Sequence, residues 1–350
     1  MRPVCCLSRL FLHMLLQQIL RRNHIAIWYW PFERLNIAYY RLVASATRVR
    51  ALVDKSDDDT PLPVVIWHGL GDAYNAEGLQ SVGELIDSVN PGTFVYFVQL
   101  GADGNEDRSA TFLGNVSAQI EHVCEALASH PIISTAPAID ALGFSQGGTF
   151  LRGYIERCNS PPIRSLVTFG SPHNGITRFR DCGYADLVCK GAMALLRFNT
   201  WSNFVQSRLV PAQYFRDPKD YDRYLESSNF LADVNNERIE KNPLYKENLA
   251  SLTNLALYMF DNDTVLIPKE TSWFEEVNES EHVPLRARKI YTEDWIGLRE
   301  LDRKGGLKFR SVPGDHMQIP ESEIEKVAKD FFGPADRKFV TEDNYSAGEL

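Results

Sequence analysis

Six apolar runs rich in β-branched and aromatic residues punctuate the chain: 63–68 (PVVIWH), 94–100 (FVYFVQL), 139–144 (IDALGF), 164–170 (RSLVTFG), 255–260 (LALYMF) and 307–312 (LKFRSV). Several are nearly continuous in apolar character, as parallel strands buried on both faces tend to be. Between them the period changes. Leu79, Val82, Leu85, Ile86 and Val89 share one helical stripe, and Val116, Ile120, Val123 and Leu127 share another. Ile324, Val327, Ala328 and Phe331 mark a last helix. Strands alternating with amphipathic helices predict an α/β doubly wound sheet.

The alternation breaks after Ser171. About eighty residues, 171–250, pass without a clear buried strand, and they carry Leu196, Phe198, Trp201, Phe204, Tyr214, Phe215 and Phe230. A structureless loop of that length is improbable. The segment reads as a mainly helical insertion whose apolar residues would build a groove above the strand ends.

The ends differ from the middle. Residues 1–50 hold 8 Lys/Arg against 1 Asp/Glu, while residues 51–350 hold 29 against 45, a net of −16. The run 10–20 (LFLHMLLQQIL) follows Arg2 and Arg9 in the manner of a signal-peptide core, interrupted by His13, Gln17 and Gln18. A signal region and a disordered extension both fit this basic leader, and either places it outside the fold. An acidic linker, 51–62, leads to a catalytic domain over 63–332, and a polar tail covers 333–350. The 350 residues are 44% hydrophobic and 24% charged, which excludes bulk disorder and coiled coil. The overall charge of −9 argues against a nucleic-acid partner, since phosphate neutralisation needs a cationic face. No uncharged apolar run approaches the roughly 18 residues of a transmembrane span.

The chemistry centres on Gly143-Phe144-Ser145-Gln146-Gly147-Gly148, which follows an apolar strand and precedes an amphipathic segment. This is a G-x-S-x-G nucleophile elbow in its strand–turn–helix setting. Ser145 is the expected nucleophile, and the backbone N–H of Gln146 is one expected oxyanion donor. The second is the N–H of Leu70, in His68-Gly69-Leu70-Gly71-Asp72 after the first strand. In the α/β-hydrolase order the acid and then the base follow the serine. His316 lies between the last strand and the last helix, where the base belongs. His68 reads as structural, His173 as structural or pocket-lining, and His282 as a surface-loop residue. Asp263, ahead of an apolar 265–268 segment, is the favoured acid; Asp261 is the alternative.

These residues, in this order, resemble palmitoyl-protein thioesterases, the lysosomal depalmitoylating α/β-hydrolases, from about residue 63 to 332. The resemblance extends to Phe150-Leu151-Arg152, to Arg157-Cys158 before Ser160-Pro161-Pro162, and to Phe230-Leu231-Ala232-Asp233 followed by Asn235 and Glu237-Arg238. Asn262-Asp263, Tyr291-Thr292, Gly297-Leu298 and Gly314-Asp315-His316 also match. One departure is visible: where the family has an adjacent cysteine pair after the HGxGD turn, this chain has Ala73-Tyr74-Asn75-Ala76. The resemblance implies an α/β-hydrolase fold, a Ser145–His316–Asp263 triad, oxyanion donation from Leu70 and Gln146, and no cofactor or metal. It implies S-palmitoylated proteins or peptides as substrates. It also implies the secretory pathway, with the lysosome, a vacuole or secretion as destination. A secreted lipase or carboxylesterase acting on oxygen esters is the alternative.

Two of six cysteines lie in the leader. The other four, Cys124, Cys158, Cys182 and Cys189, form no C-x-x-C pair and allow three disulfide pairings. The resemblance favours Cys124–Cys158 with Cys182–Cys189. Sequons at Asn115, Asn262, Asn278 and Asn344 are glycosylation candidates and agree with secretion.

Overall fold

The computed structural model describes residues 59–178, 199–278 and 281–339, together with Lys190, Gly191, Ala194 and Leu196. The leader, Cys182, Cys189 and Asn344 lie outside the described residues.

The described residues form eight strands in chain order: β1 (Val64–Trp67), β2 (Val95–Phe97), β3 (Ile139–Phe144), β4 (Ile163–Phe169), β5 (Asn254–Phe260), β6 (Glu276–Val277), β7 (His282–Val283) and β8 (Leu307–Val312). Six of them make one sheet in the order β2-β1-β3-β4-β5-β8, and β6 pairs with β7 separately. Every pairing in the large sheet is parallel. Parallel neighbours require crossovers, and crossovers cover both faces. The strands obey that demand residue by residue. Val65 and Trp67 enter one apolar cluster with Ile120, Phe150 and Leu166. Val64 and Ile66, offset by one, enter another with Ile86, Phe169 and Val327. The helices Val116–Ser129 and Gln146–Arg157 pack on the first face; Glu77–Val89 and Glu321–Phe331 pack on the second.

All six expected strands are present. The second is shorter than its apolar run: Val98 N still donates to Ile66 O, but Leu100 N, and Gly101 N just beyond the run, donate to Asp107 Oδ1 at 2.6 and 3.3 Å. The described part of the insertion is mainly helical, with Asn203–Arg208, Tyr221–Ser227, Leu231–Val234 and Pro243–Ser251, the first two separated by short 3₁₀ turns. Its aromatics are mostly core: Trp201 meets Phe215 and Tyr224, and Phe230 sits edge-on to Phe150 with ring centroids 5.7 Å apart. The first residues of the polar tail are docked. Leu62 N donates to Gly333 O at 3.0 Å, and Arg164 reaches from the buried Asp140 to the same carbonyl.

A buried polar node ties the insertion to the sheet. Arg152, with no exposed surface, pairs with Glu156 Oε1 at 2.9 Å and donates to Asn235 Oδ1 at 2.8 Å and to the carbonyls of His173 and Val234. Its guanidinium also lies over the Phe274 ring. Asn235 in turn donates to Glu237, which accepts from Tyr221 and Tyr224 and pairs with Arg216.

Cys124 and Cys158 form a disulfide with Cα atoms 6.1 Å apart, joining the Val116–Ser129 helix to the end of the Gln146–Arg157 helix. The loop it closes spans a sequence separation of 34. A double Cys124→Ser, Cys158→Ser variant is expected to lose about 3–4 kcal/mol by chain entropy. Equilibrium urea denaturation of protein secreted under oxidising conditions checks this, and an unchanged midpoint would exclude a stabilising bridge.

Candidate active site

β3 ends at Phe144 and a helix begins at Gln146, so a single residue makes the turn. That residue, Ser145, has φ 50° and ψ −127°. A non-glycine residue in this region carries strain of about 1–3 kcal/mol, sustained only where its surroundings over-determine it. The surroundings do so. Ser145 N donates to Phe169 O at 2.8 Å, and three glycines allow backbone to pass backbone. A Cβ on Gly143 would lie 2.2 Å from the Gly148 Cα, and one on Gly147 would lie 2.3 Å from the Trp67 carbonyl oxygen. Gly69 closes the other side, its would-be Cβ 3.0 Å from the Ser145 Cβ.

The other two expected residues converge on Ser145 from the ends of β5 and β8. Ser145 Oγ lies 3.1 Å from His316 Nε2. Asp263 Oδ2 accepts from His316 Nδ1 at 2.7 Å. The Asp263 side chain is fully buried, and its Oδ1 accepts from Val265 N and Leu266 N at 2.9 and 2.8 Å. Those two amides fix the carboxylate's orientation and explain why the acid precedes an apolar segment. Asp261 is exposed, and its carbonyl accepts from Lys269 Nζ. Gly170, at φ 54°, leaves room for the imidazole: a Cβ there would sit 3.1 Å from His316 Cε1.

Of the other histidines weighed as base, His173 and His68 are buried and His282 lies on the surface, in a strand rather than a loop. His173 is fully buried, stacked on Phe274 and 3.0 Å from Thr168 Oγ1; burial, aided by Arg152, holds its pKa well below the usual value. His282 is largely exposed and meets Glu275 at 2.6 Å in the β6–β7 ribbon. His68 is buried with its Nε2 2.8 Å from Asp107 Oδ2. The Asp107 partnership is a site feature the sequence did not reveal, since Gly104–Ala110 reads as a solvated polar stretch. Burial pushes the Asp107 carboxyl up, but His68 and the amides of Leu100 and Tyr74 outweigh it and hold the group below its ordinary value. Asp107 thereby anchors the loop carrying Leu70: Tyr74 N donates to it at 2.7 Å, and Gly71 N donates to Thr111 Oγ1 nearby.

A cavity of about 1210 Å³ opens beside Ser145 and His316. The expected insertion wall is there, in Pro172, Ile176, Pro211 and Tyr214. It is only part of the lining. Leu79, Val82 and Leu85 of the Glu77–Val89 helix, Val265 and Leu266 after Asp263, and Met317 and Ile319 after His316 also line it, with polar groups such as Ser81, Glu84 and Arg108 at its edge. The insertion-built groove is thus corrected to one shared between the insertion and the second face. The helical stripe at Leu79, Val82 and Leu85 does not disclose this in sequence, because residues at i, i+3 and i+6 that line a groove and those that fill a core look alike. Among the described residues, no cluster of His, Cys, Asp and Glu is arranged to hold a metal ion, and no helix is long and apolar enough to cross a membrane.

Residues 63–316 match the sequence profile of a family described as palmitoyl protein thioesterase. The chain is 37% identical over 276 residues to palmitoyl-protein thioesterase 1 of Caenorhabditis elegans, covering 77% of this chain and 92% of that protein. It is 33% identical over 275 residues to palmitoyl-protein thioesterase 3 of Dictyostelium discoideum, covering 77% and 89%. It is 31% identical to a Drosophila melanogaster protein named lysosomal thioesterase PPT2 homolog, covering 73% and 85%.

The packing at the turn yields a test that needs no substrate. Gly147→Ala forces a methyl group against the Trp67 carbonyl, and overpacking of this kind costs about 1–3 kcal/mol. Thermal denaturation should show a lowered Tm, whereas Gly78→Ala, whose added Cβ meets nothing within 4 Å, should leave it close to wild type.

Proposed function

The chain belongs to the palmitoyl protein thioesterase family, and from that premise we propose that Ser145, His316 and Asp263 are the nucleophile, general base and orienting acid of a long-chain acyl thioester hydrolase. The observation that carries this reading is the continuous chain of contacts, 3.1 Å from Ser145 to His316 and 2.7 Å from His316 to Asp263, beside an apolar cavity. Its substrates are palmitoyl thioesters on cysteines of proteins or peptides.

The reaction follows from the geometry. Ser145 Oγ attacks the thioester carbonyl while His316 Nε2 takes its proton. Asp263 holds the imidazole with Nδ1–H toward itself and stabilises the imidazolium as it forms. The Gln146 N–H is the first amide of its helix and so has no intrahelical acceptor. With the Leu70 N–H it is proposed to hold the oxyanion. The cysteine thiolate needs little protonation to leave, because a free thiol has a pKa of only about 8.5, and once released it takes the proton from the His316 imidazolium, which restores the neutral base. Water activated by His316 then frees the fatty acid from acyl-Ser145.

A lysosomal destination reached through the secretory pathway is part of the proposal. The name of the Drosophila relative supports it, as does the Cys124–Cys158 bridge, since disulfides persist in oxidising compartments. Of the proposed glycosylation sites, Asn262 is exposed, while Asn115 is half-buried with its Oδ1 accepting from Ala118 N as a helix cap. Asn262 is therefore the better acceptor of the two. The bridge Cys182–Cys189 remains part of the proposal from the family resemblance.

Depalmitoylation of a palmitoyl-peptide tests the roles. Ser145→Ala, His316→Ala and Asp263→Asn should each lower kcat by about 10⁴-fold or more, and the Ser145→Ala, His316→Ala double variant should be little worse than either single change. Full activity in Asp263→Asn together with loss in Asp261→Asn would move the acid to Asp261. Matched acyl thioester and oxygen-ester substrates separate this reading from a carboxylesterase.

Chain length tests the cavity. A palmitoyl chain has about fourteen methylenes, each worth up to roughly 0.8 kcal/mol when buried. Ordering and association costs cancel much of that sum. The kcat/KM should still climb steeply across acyl thioesters of about four to sixteen carbons. Leu85→Asp and Tyr214→Asp, on opposite contributors to the lining, should flatten the climb and leave short-chain turnover nearly unchanged. A flat wild-type series would remove the cavity from the account of specificity.

A further inference from the structure

The catalytic contact between Asp263 and His316 bridges two loops that leave different strands. Backbone bonds lace the beginnings of these loops: Asp261 N donates to Val312 O and Asn262 N to Gly314 O, each at 3.0 Å. Beyond that point, the Asp315 side chain joins them in addition to the Asp263–His316 contact. Asp315 Oδ1 accepts from Thr264 N at 2.8 Å, from Thr264 Oγ1 at 2.9 Å and from His316 N at 2.7 Å. Thr264 directly follows the acid, and His316 is the base. The carboxylate therefore grips the backbone on each side of the Asp263–His316 hydrogen bond. Its own loop is braced in return: Asp315 N donates to Gln318 Oε1 at 2.9 Å, and Gln318 N to Asp315 O at 3.0 Å.

We propose that Asp315 is a positioning residue, a clip that sets the spacing between the acid loop and the base loop and so holds the His316 imidazole in line with Ser145. The inference rests on the triad reading above. Asp315 touches neither Ser145 nor the cavity, so it acts through His316 and Thr264. What it supplies is an acceptor for two amides at once. The Thr264 and His316 amides also hold its carboxyl below the usual range, so the acceptor persists at acid pH. The clip matters because the contacts it guards are short. A displacement of about 1 Å at a reacting group can cost on the order of 10²-fold in rate.

The test uses the full chain, a palmitoyl-peptide substrate, and fluorophosphonate titration to count competent serines. Asp315→Ala removes the acceptor and should lower kcat per titrated site by about 10–100-fold, with KM within about twofold of wild type. Asp315→Asn keeps an amide oxygen where Oδ1 lies and should restore kcat to within about threefold of wild type. Should Asp315→Ala not fold, Asp315→Ser, whose hydroxyl is too short to serve both amides, is expected to show the same loss. Unchanged kcat in Asp315→Ala or Asp315→Ser, equal loss in Asp315→Asn, or a loss borne by KM alone would overturn the proposal. Ser145→Ala run in parallel separates the two levels. If it is dead while Asp315→Ala is fully active, the triad stands and the clip falls. If Ser145→Ala keeps its turnover, the triad reading itself falls, and the clip with it.

Discussion

The guanidinium of Arg152 is buried without access to solvent, and the arrangement of the active-site half follows from satisfying it. Removing an ion of this size from water costs several kcal/mol unless the surroundings answer it. Here the answer comes from four directions: Glu156 one turn along the same helix, Asn235 and the Val234 carbonyl in the insertion, and the His173 carbonyl after β4. Breaking a pair of this kind from one side typically costs about 3–5 kcal/mol, since it strands the other charge. Burial pushes the Glu156 carboxyl up from its ordinary range, and the Arg152 guanidinium beside it pulls the other way. The insertion therefore cannot shift over the sheet without orphaning a charge. Because Arg152 lies on the helix that starts at Ser145, the same constraint sets the insertion's cavity wall relative to the nucleophile.

The strained turn at Ser145 depends on that rigidity. A residue at φ 50° with a full side chain relaxes unless its flanks are pinned. The preceding strand is central in the sheet, between β1 and β4, and the following helix is buried along nearly all its length, held at its middle by Arg152 and at its end by Cys158. Glycine at 143, 147 and 148 is the local part of the solution, and the buried charge is the distant part. The loop that carries Leu70 is handled in the same manner, with Asp107 drawing in His68 and the amides of Tyr74, Leu100 and Gly101 around one carboxylate.

Much of this was legible in the sequence, and the division follows from range. The strands show as apolar runs, and the elbow shows as glycines around a serine, because both are local patterns. The proposed acid and base follow from the chain order of the fold, and Asp263 is preferred to Asp261 by the apolar segment whose two amides its carboxylate accepts from. What the sequence concealed depends on contacts across the chain. Arg152, Asp107 and Asp315 are charges in polar or helical stretches, where the usual reading is a solvated face. Their partners lie 83, 39 and 51 residues away or more in the cases of Asn235, His68 and Thr264. The second-face lining at Leu79, Val82 and Leu85 was concealed for a different reason, since a helix stripe does not reveal whether it meets another side chain or an open cavity.

Register explains how three residues so far apart in sequence reach one point. The sheet is parallel, so all its strands deliver their following loops to the same edge. Phe144 is level with Phe169, Phe169 with Tyr258, and Phe260 with Val312. Ser145 is one residue past its strand, Asp263 three past β5 and His316 four past β8, and the three side chains meet at that edge. The longer loops must then be held, because free residues after a strand end have no ladder to fix them. Asp263 is held by the amides of Val265 and Leu266, and the His316 backbone by Asp315. A slip of one residue between β5 and β8 would turn Leu257 and Tyr258 to the wrong faces, and so would cost the burial of both apolar layers as well as the catalytic alignment. The alignment of the site is in this way protected by the same apolar alternation that stabilises the sheet, and the polar clips have only the last few ångströms to correct.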